Sequence, residues 1–201
     1  MPTLTIGPIF GLRLSFTRLF WPSYLVLAIV AAVLSRWLVH LPVSTAIVAG
    51  VFSALLFLVS EWLHQTGHAI VAQAVGHPMQ GIRFFNIFSA SEYPADEPVL
   101  PPQTHMRRAL GGFWVNLIIG LLLLPIALKL WPHGREILPP TVSLVAWLAG
   151  FGVIVNLVVL GLGALLPLKL PGGGGLTDGG ALLQFWLQAR GKSQPGAPDH
   201  P

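Results

Sequence analysis

The chain contains no cysteine. Disulfides and thiolate ligands are thereby excluded, so a transition-metal site would have to draw on His, Asp or Glu. Charge is also scarce: Asp, Glu, Lys and Arg make up 9% of the 201 residues, against roughly 25% in soluble domains. Together with 54% apolar residues and a mean hydropathy of +0.73, this places the chain in a bilayer. The formal net charge of +4 does not mark a nucleic-acid partner. The eleven Lys and Arg residues stand scattered, mostly at the edges of apolar runs, where they act as membrane topology signals.

Residues 1 to 18 alternate polar and apolar types around Phe10, Leu12, Leu14 and Phe16, which predicts a short strand on the membrane surface. A first span is expected from Phe20 to Val39. It is read as a retained helix because it is long and lacks a clean small-residue cleavage site. A second helix, from Ser44 to Val75, has no proline to stop it. At 1.5 Å per residue it would be roughly 48 Å long, more than a bilayer core requires, so it must tilt or protrude.

The polar stretch 77 to 108 carries Ile82, Phe84, Phe85, Ile87 and Phe88 and is expected to form a strand or hairpin followed by a proline-rich loop. A third span is expected over Ala109 to Trp131 and a fourth over Thr141 to Leu166. A break at 167 to 177, containing Gly172 to Gly175, precedes a last helix that restarts at Asp178. The fold class is thus an all-α polytopic membrane protein of about four transmembrane helices, with a C-terminal helix after a broken segment and a small membrane-surface β element. Residues 1–190 read as one membrane domain and 191–201 as a disordered tail.

Four spans put the N-terminus, the 77 to 108 loop and the C-terminus on one side, with Arg13, Arg18, Arg83, Arg107, Arg108, Arg190 and Lys192. Arg36, Lys129 and Arg135 fall on the other. The excess of positive charge predicts that the first side, with both termini, is cytoplasmic.

The second helix contains Glu61, His64, Gln65 and His68. Residues four apart on a helix point within about 40° of one another, so both imidazoles face one way. His64 is expected about 7 Å past the helix midpoint, a depth at which a polar side chain is costly and usually functional. With seven histidines in the chain, the spacing alone is weak. Such histidines also hydrogen-bond neighbouring helices or line proton paths. A tetrahedral zinc site needs a third protein ligand and an open position, and Asp178, where the glycine-rich break meets a new helix, is the candidate. Taken alone, an Asp there reads better as an N-cap.

These elements together resemble the site-2 protease family of intramembrane zinc metalloproteases. The segment His64-Gln65-Thr66-Gly67-His68 is similar to the family's His-Glu-x-x-His helix, and Thr177-Asp178-Gly179-Gly180 to its Leu-Asp-Gly-Gly element, approached from Asn156 to Pro167. Ala109 to Asn116 resembles the family's Ala-Gly-Pro-x-x-Asn helix start, with Phe113 where proline is usual, and Phe10 to Leu14 its N-terminal surface strand. The resemblance implies a zinc ion held by His64, His68 and Asp178 for hydrolysis of peptide bonds within the membrane. It also implies that Asn116, at the start of helix three, lies near the metal and holds a substrate backbone; helix–helix hydrogen bonding is an equal alternative.

The departure from the family is Gln65, where the resemblance expects the general-base glutamate. An amide cannot take a proton from water, and loss of a positioned base typically removes about 10² to 10⁴ in rate. Glu61 lies about 6 Å along the axis from Gln65 and tilts away from the site. It is better placed to bond His64 as a supporting partner, or to sit as a buried carboxylate.

Three functions follow. One is a zinc-dependent protease scaffold acting on transmembrane segments of membrane proteins, impaired by Gln65, with the 77 to 108 strand pairing with extended substrate. The second is an inactive pseudoprotease that binds client transmembrane helices. The third is a small transporter or proton path through Glu61, His64, His68 and Asp178.

Overall fold

The computed structural model describes residues 4–9, 11–131, 138–170 and 175–191. Among the described residues, four helices are long and apolar enough to cross a membrane: α1 (Phe20–Leu38), α2 (Val43–Ala74), α3 (Pro102–Leu130) and α4, which runs from Pro140 to Leu165. α5 (Asp178–Ala189) follows. The chain is therefore a multi-pass membrane protein, mostly helical, with a small sheet, as its apolar runs predict.

α2 is the central element, in contact with α1, α3 and α4. Lipid tails are as apolar as leucine, so helices in a bilayer associate by close packing and hydrogen bonds, not by hiding apolar surface. Accordingly Ala46, Ala49 and Ala54 of α2 are buried, whereas Val51, Phe52, Leu55 and Val59 are exposed toward lipid. Two glycines bring α2 against α3. A Cβ on Gly67 would lie 2.5 Å from the Gly111 carbonyl oxygen, and one on Gly111 equally close to that of Gly67. Nothing larger fits either position.

Two helices differ from expectation in their details. α3 starts at Pro102, seven residues before the expected Ala109, because Pro102 occupies its first turn, where a missing N–H costs nothing. Asn116 consequently lies in the middle of α3 and not at its start. α4 ends in a stretch of π-helical turns, Ile154–Leu162, closed by the 3₁₀ turn Gly163–Leu165.

Four strands, β1 (Leu4–Ile9), β2 (Leu12–Phe16), β3 (Gly81–Phe84) and β4 (Ser89–Glu92), form one sheet in that order. β1 and β2 are antiparallel, β2 and β3 parallel, and β3 and β4 antiparallel. The expected N-terminal strand and the expected 77 to 108 hairpin are thus halves of one sheet. Phe16 stacks on Phe84 at 5.2 Å, Phe20 packs edge-on against Phe84 at 5.8 Å, and Tyr24 of α1 donates to the Ile87 carbonyl at 3.1 Å. This aromatic seam anchors the sheet to the helices.

Within the expected break, β5 (Lys169–Leu170) pairs with β6 (Gly175–Leu176). The glycines at 172 to 174 lie outside the described residues, as does the expected tail apart from Gly191.

Gly111→Leu should force α2 and α3 apart. Overpacking of this kind typically costs about 1–3 kcal/mol, so the thermal unfolding midpoint of the detergent-solubilised protein should fall by several degrees. An unchanged midpoint would contradict the backbone contact.

Candidate metal centre

His64 and His68 both lie on the buried face of α2, with exposures of 5% and 4%. Their rings meet edge to face with the two Nε2 atoms 3.0 Å apart. Asp178 reaches them from α5, placing Oδ2 at 3.4 Å from His64 Nε2 and Oδ1 at 3.3 Å from His68 Nε2. The structure thus brings together three side chains separated by up to 114 positions, and they form a group able to hold a metal ion.

Asp178 is free to do this because it is not the N-cap. Thr177 caps α5, its hydroxyl oxygen accepting the Gly180 N–H at 3.2 Å and the Leu168 N–H at 3.0 Å while its O–H donates to the Leu166 carbonyl. The capping alternative falls to the preceding residue, and the carboxylate at the first helical position turns inward. A Cβ on Gly179 would run into the Leu165 backbone, so the glycine after Asp178 lets α5 dock against the end of α4.

The protonation of the two imidazoles is set by what their other nitrogens touch. His68 Nδ1 lies 2.7 Å from the Arg108 carbonyl, which can only accept, so Nδ1 carries the hydrogen and Nε2 a lone pair. The case of His64 is longer by two links. The Asn156 side-chain amide donates to the Gly152 carbonyl at 2.9 Å and to Ser60 Oγ at 3.0 Å. Its oxygen therefore faces Asn116, whose amide nitrogen donates to it at 2.7 Å. Asn116 Oδ1 is left to accept from His64 Nδ1 at 2.6 Å. Both asparagines are fully buried.

The donor set fits a metal ion. With both Nδ1 atoms facing acceptors, the two Nε2 atoms meet at 3.0 Å, a contact that calls for a proton or a metal ion between them. Asp178 Oδ2 is buried without a hydrogen-bond partner. The separations of 3.0 to 3.4 Å, those to Asp178 measured to its two different oxygens, are of the size of ligand–ligand distances around a zinc ion, about 3.3 Å for bonds of 2.0–2.1 Å. Gly112 leaves room for the arrangement, since a Cβ there would lie 2.5 Å from the His64 ring.

Of the two places expected for Glu61, it takes that of a buried carboxylate and not that of a partner of His64. His64 is supported by Asn116, and Glu61 Oε1 instead accepts the Ser89 N–H at 2.7 Å and the Ser89 hydroxyl at 2.6 Å. Gln65 Oε1 likewise accepts the Ser91 hydroxyl at 2.7 Å. Glu61 and Gln65, one turn apart, are thus fastened to alternate residues of β4. Asn116 makes helix–helix hydrogen bonds to α2 and α4, the alternative weighed for it.

A cavity of about 640 Å³ opens beside these groups, lined among others by Glu61, Gln65, Ser89, Ser91, Leu166 and Asp178. Arg108 borders it and had counted only as a topology charge. It is buried, paired with both oxygens of Glu97 at 3.0 and 3.1 Å, and its guanidinium lies 3.3 Å over the Tyr93 ring. Those contacts hold the segment whose carbonyl orients His68. A charged residue so near a predicted span could have been flagged by its position; its partner Glu97 could not.

No family model and no curated protein matches the sequence. By fold, the chain is similar to the solved structure of a site-2 protease from Methanocaldococcus jannaschii, with 18% identity and a TM-score of 0.57 over 93% of this chain and 72% of that one. The chain therefore has a site-2-protease-like fold.

Thr177→Ala should loosen the start of α5. Loss of such a cap costs about 0.5–2 kcal/mol, so amide hydrogen exchange at 178 to 181 should accelerate while α2 is unaffected. Unchanged exchange would mean that the hydroxyl does not position Asp178.

Proposed function

We propose that this chain is a zinc-binding scaffold for hydrolysis of peptide bonds in transmembrane segments of membrane proteins, with turnover impaired by Gln65. The observation that carries the reading is the convergence of His64 Nε2, His68 Nε2 and the Asp178 carboxylate at 3.0 to 3.4 Å, with both Nδ1 atoms committed to acceptors. His64, His68 and Asp178 would hold the ion. Zinc is favoured because nitrogen and carboxylate donors in a four-coordinate arrangement suit it, and three protein ligands leave one position open. When bound, it would supply Lewis acidity and a nucleophile near neutral pH.

The chain's own residues bind and orient the client. A transmembrane helix must unwind before its carbonyls are accessible, and an extended segment can be stabilised by adding to a free strand edge. β4 ends the sheet, and Ser89, Ala90 and Ser91 line the same cavity as the metal-binding group. An extended client laid along β4 would run past Gln65 toward His64 and Asp178. On the positive-inside reading, the sheet and both termini face the cytoplasm, with the chain in the cell membrane.

Gln65 favours a second reading, in which the protein binds client helices without cleaving them. Its side-chain oxygen already accepts from Ser91, and an amide has no basicity to accept a proton from attacking water. On this reading Glu61 does not replace it, because it lies one turn before Gln65, about 6 Å along the helix axis, with Oε1 committed to Ser89.

Metal analysis of the purified protein should find about one zinc per chain, lost in His64→Ala, His68→Ala and Asp178→Ala. Asn116→Ala should weaken zinc binding about 10- to 100-fold, as loss of an imidazole's supporting partner does. A folded protein that takes up no zinc would remove the metalloprotease reading in favour of a proton path through the same groups.

Gln65→Glu should raise cleavage of a reconstituted model transmembrane substrate by about 10² to 10⁴. If zinc is bound and neither form cleaves, the client-binding reading stands instead.

A further inference from the structure

The free edge of β4 is not uniformly free. In an antiparallel pair, backbone groups alternate between facing the partner strand and facing away. Phe85 N–H donates to the Phe88 carbonyl at 3.1 Å, and the register continues through Arg83 with Ala90 and Gly81 with Glu92. The backbone groups of Phe88, Ala90 and Glu92 therefore turn toward β3, and those of Ser89 and Ser91 turn outward. Glu61 agrees with this alternation, since it meets the Ser89 N–H from outside the sheet.

The two outward rungs are treated differently by α2. At Ser91, Gln65 touches only the side-chain hydroxyl, leaving the backbone N–H and carbonyl to the cavity. At Ser89, Glu61 Oε1 takes the backbone N–H itself, at 2.7 Å, and the hydroxyl as well, at 2.6 Å. That oxygen occupies the place an added strand's carbonyl would need. Its displacement would be costly: Glu61 is buried and its Oε2 has no hydrogen-bond partner, so a client carbonyl that took the Ser89 N–H would leave the carboxylate dependent on the Ser89 hydroxyl.

We propose that Glu61 is a register stop: it closes the Ser89 rung of β4, so that an extended client pairs at the Ser91 rung, beside Gln65 and the metal-binding group, and does not slide two residues further along the edge. Glu61 is a positioning residue that acts through β4. The inference rests on the reading in which a client adds to β4, and it supplies what that reading lacks, a device that selects which client residue lies nearest His64 and Asp178. The period of two follows from the strand, since only every second residue offers its backbone to the edge.

The absence of cysteine from the chain makes the test direct. Ala90→Cys places one thiol beside the open rung without removing either serine contact. Model transmembrane peptides carrying single cysteines at successive positions, reconstituted with this protein, then report the client register by disulfide formation. With Glu61 present, crosslinking should peak at one client position, by about fivefold over the position two residues away, the factor expected for one hydrogen-bonded rung. Glu61→Ala should bring the position two residues away up to a comparable yield.

Glu61→Gln, which keeps an acceptor for the Ser89 N–H, should preserve the single peak. Should Glu61→Ala fail to fold, Glu61→Asp keeps the carboxyl group but withdraws it by one methylene, and should show the same second position. An unchanged peak in the folded Ala or Asp variant would overturn the register stop. Absence of crosslinking at every client position with Glu61 intact would instead overturn addition to β4.

Discussion

The carbonyl of Gly152 can only accept a hydrogen bond, and the chemistry of the centre depends on that direction. Asn156 must present its amide nitrogen to it, which turns the Asn156 oxygen to Asn116 and the Asn116 oxygen to His64 Nδ1. His64 is thereby held in the tautomer that leaves Nε2 with a lone pair. The Arg108 carbonyl does the same for His68 in one step. Two rings that share a helix face by their spacing become two donors because α3 and α4 determine where their hydrogens sit.

The bilayer makes this arrangement consequential. Water is not at hand inside the hydrocarbon to satisfy a stray amide, so polar groups there must find partners in neighbouring helices or remain costly. Ser53 accepts from the Trp147 indole at 2.9 Å, Ser60 from Asn156, and Glu61 and Gln65 from β4. α2 thus keeps Ser53, Ser60, Glu61, His64, Gln65 and His68 buried and turns Val51, Phe52, Leu55 and Val59 outward. The unpartnered oxygens of Glu61 and Asp178 stand out against that background, and that of Asp178 lies 3.4 Å from His64 Nε2.

Much of this was legible in the residue order. Span positions follow from apolar run length, and the shared face of His64 and His68 from helical spacing. Asp178 was recognisable as a helix start, but the capping role belongs to Thr177, since the choice depends on how residues 166 to 168 fold back over the hydroxyl. For Glu61, helical spacing leaves two places open, beside His64 or as a buried carboxylate, and the structure takes the second. Its actual partner, Ser89, belongs to a strand 28 positions away, and only the packing of the sheet on α2 makes the contact. Likewise the alternation in residues 1 to 18 and in 81 to 92 reads as two surface elements, and nothing local specifies that β2 and β3 run side by side.

By itself, then, the sequence determined the medium, the number of spans and the chemical types available for a site: no thiolate, a histidine pair one turn apart, and an amide where a general base would be expected. These are local properties, since run length, helical period and side-chain chemistry need no knowledge of distant residues. The tertiary structure decided which partner each polar group received: α5 brought Asp178 to the imidazoles, Asn116 and Asn156 oriented His64, and β4 took Glu61. Such pairings arise where helices and strands far apart in the chain come within hydrogen-bond distance, and their geometry is set by close packing around Gly67, Gly111 and Gly112.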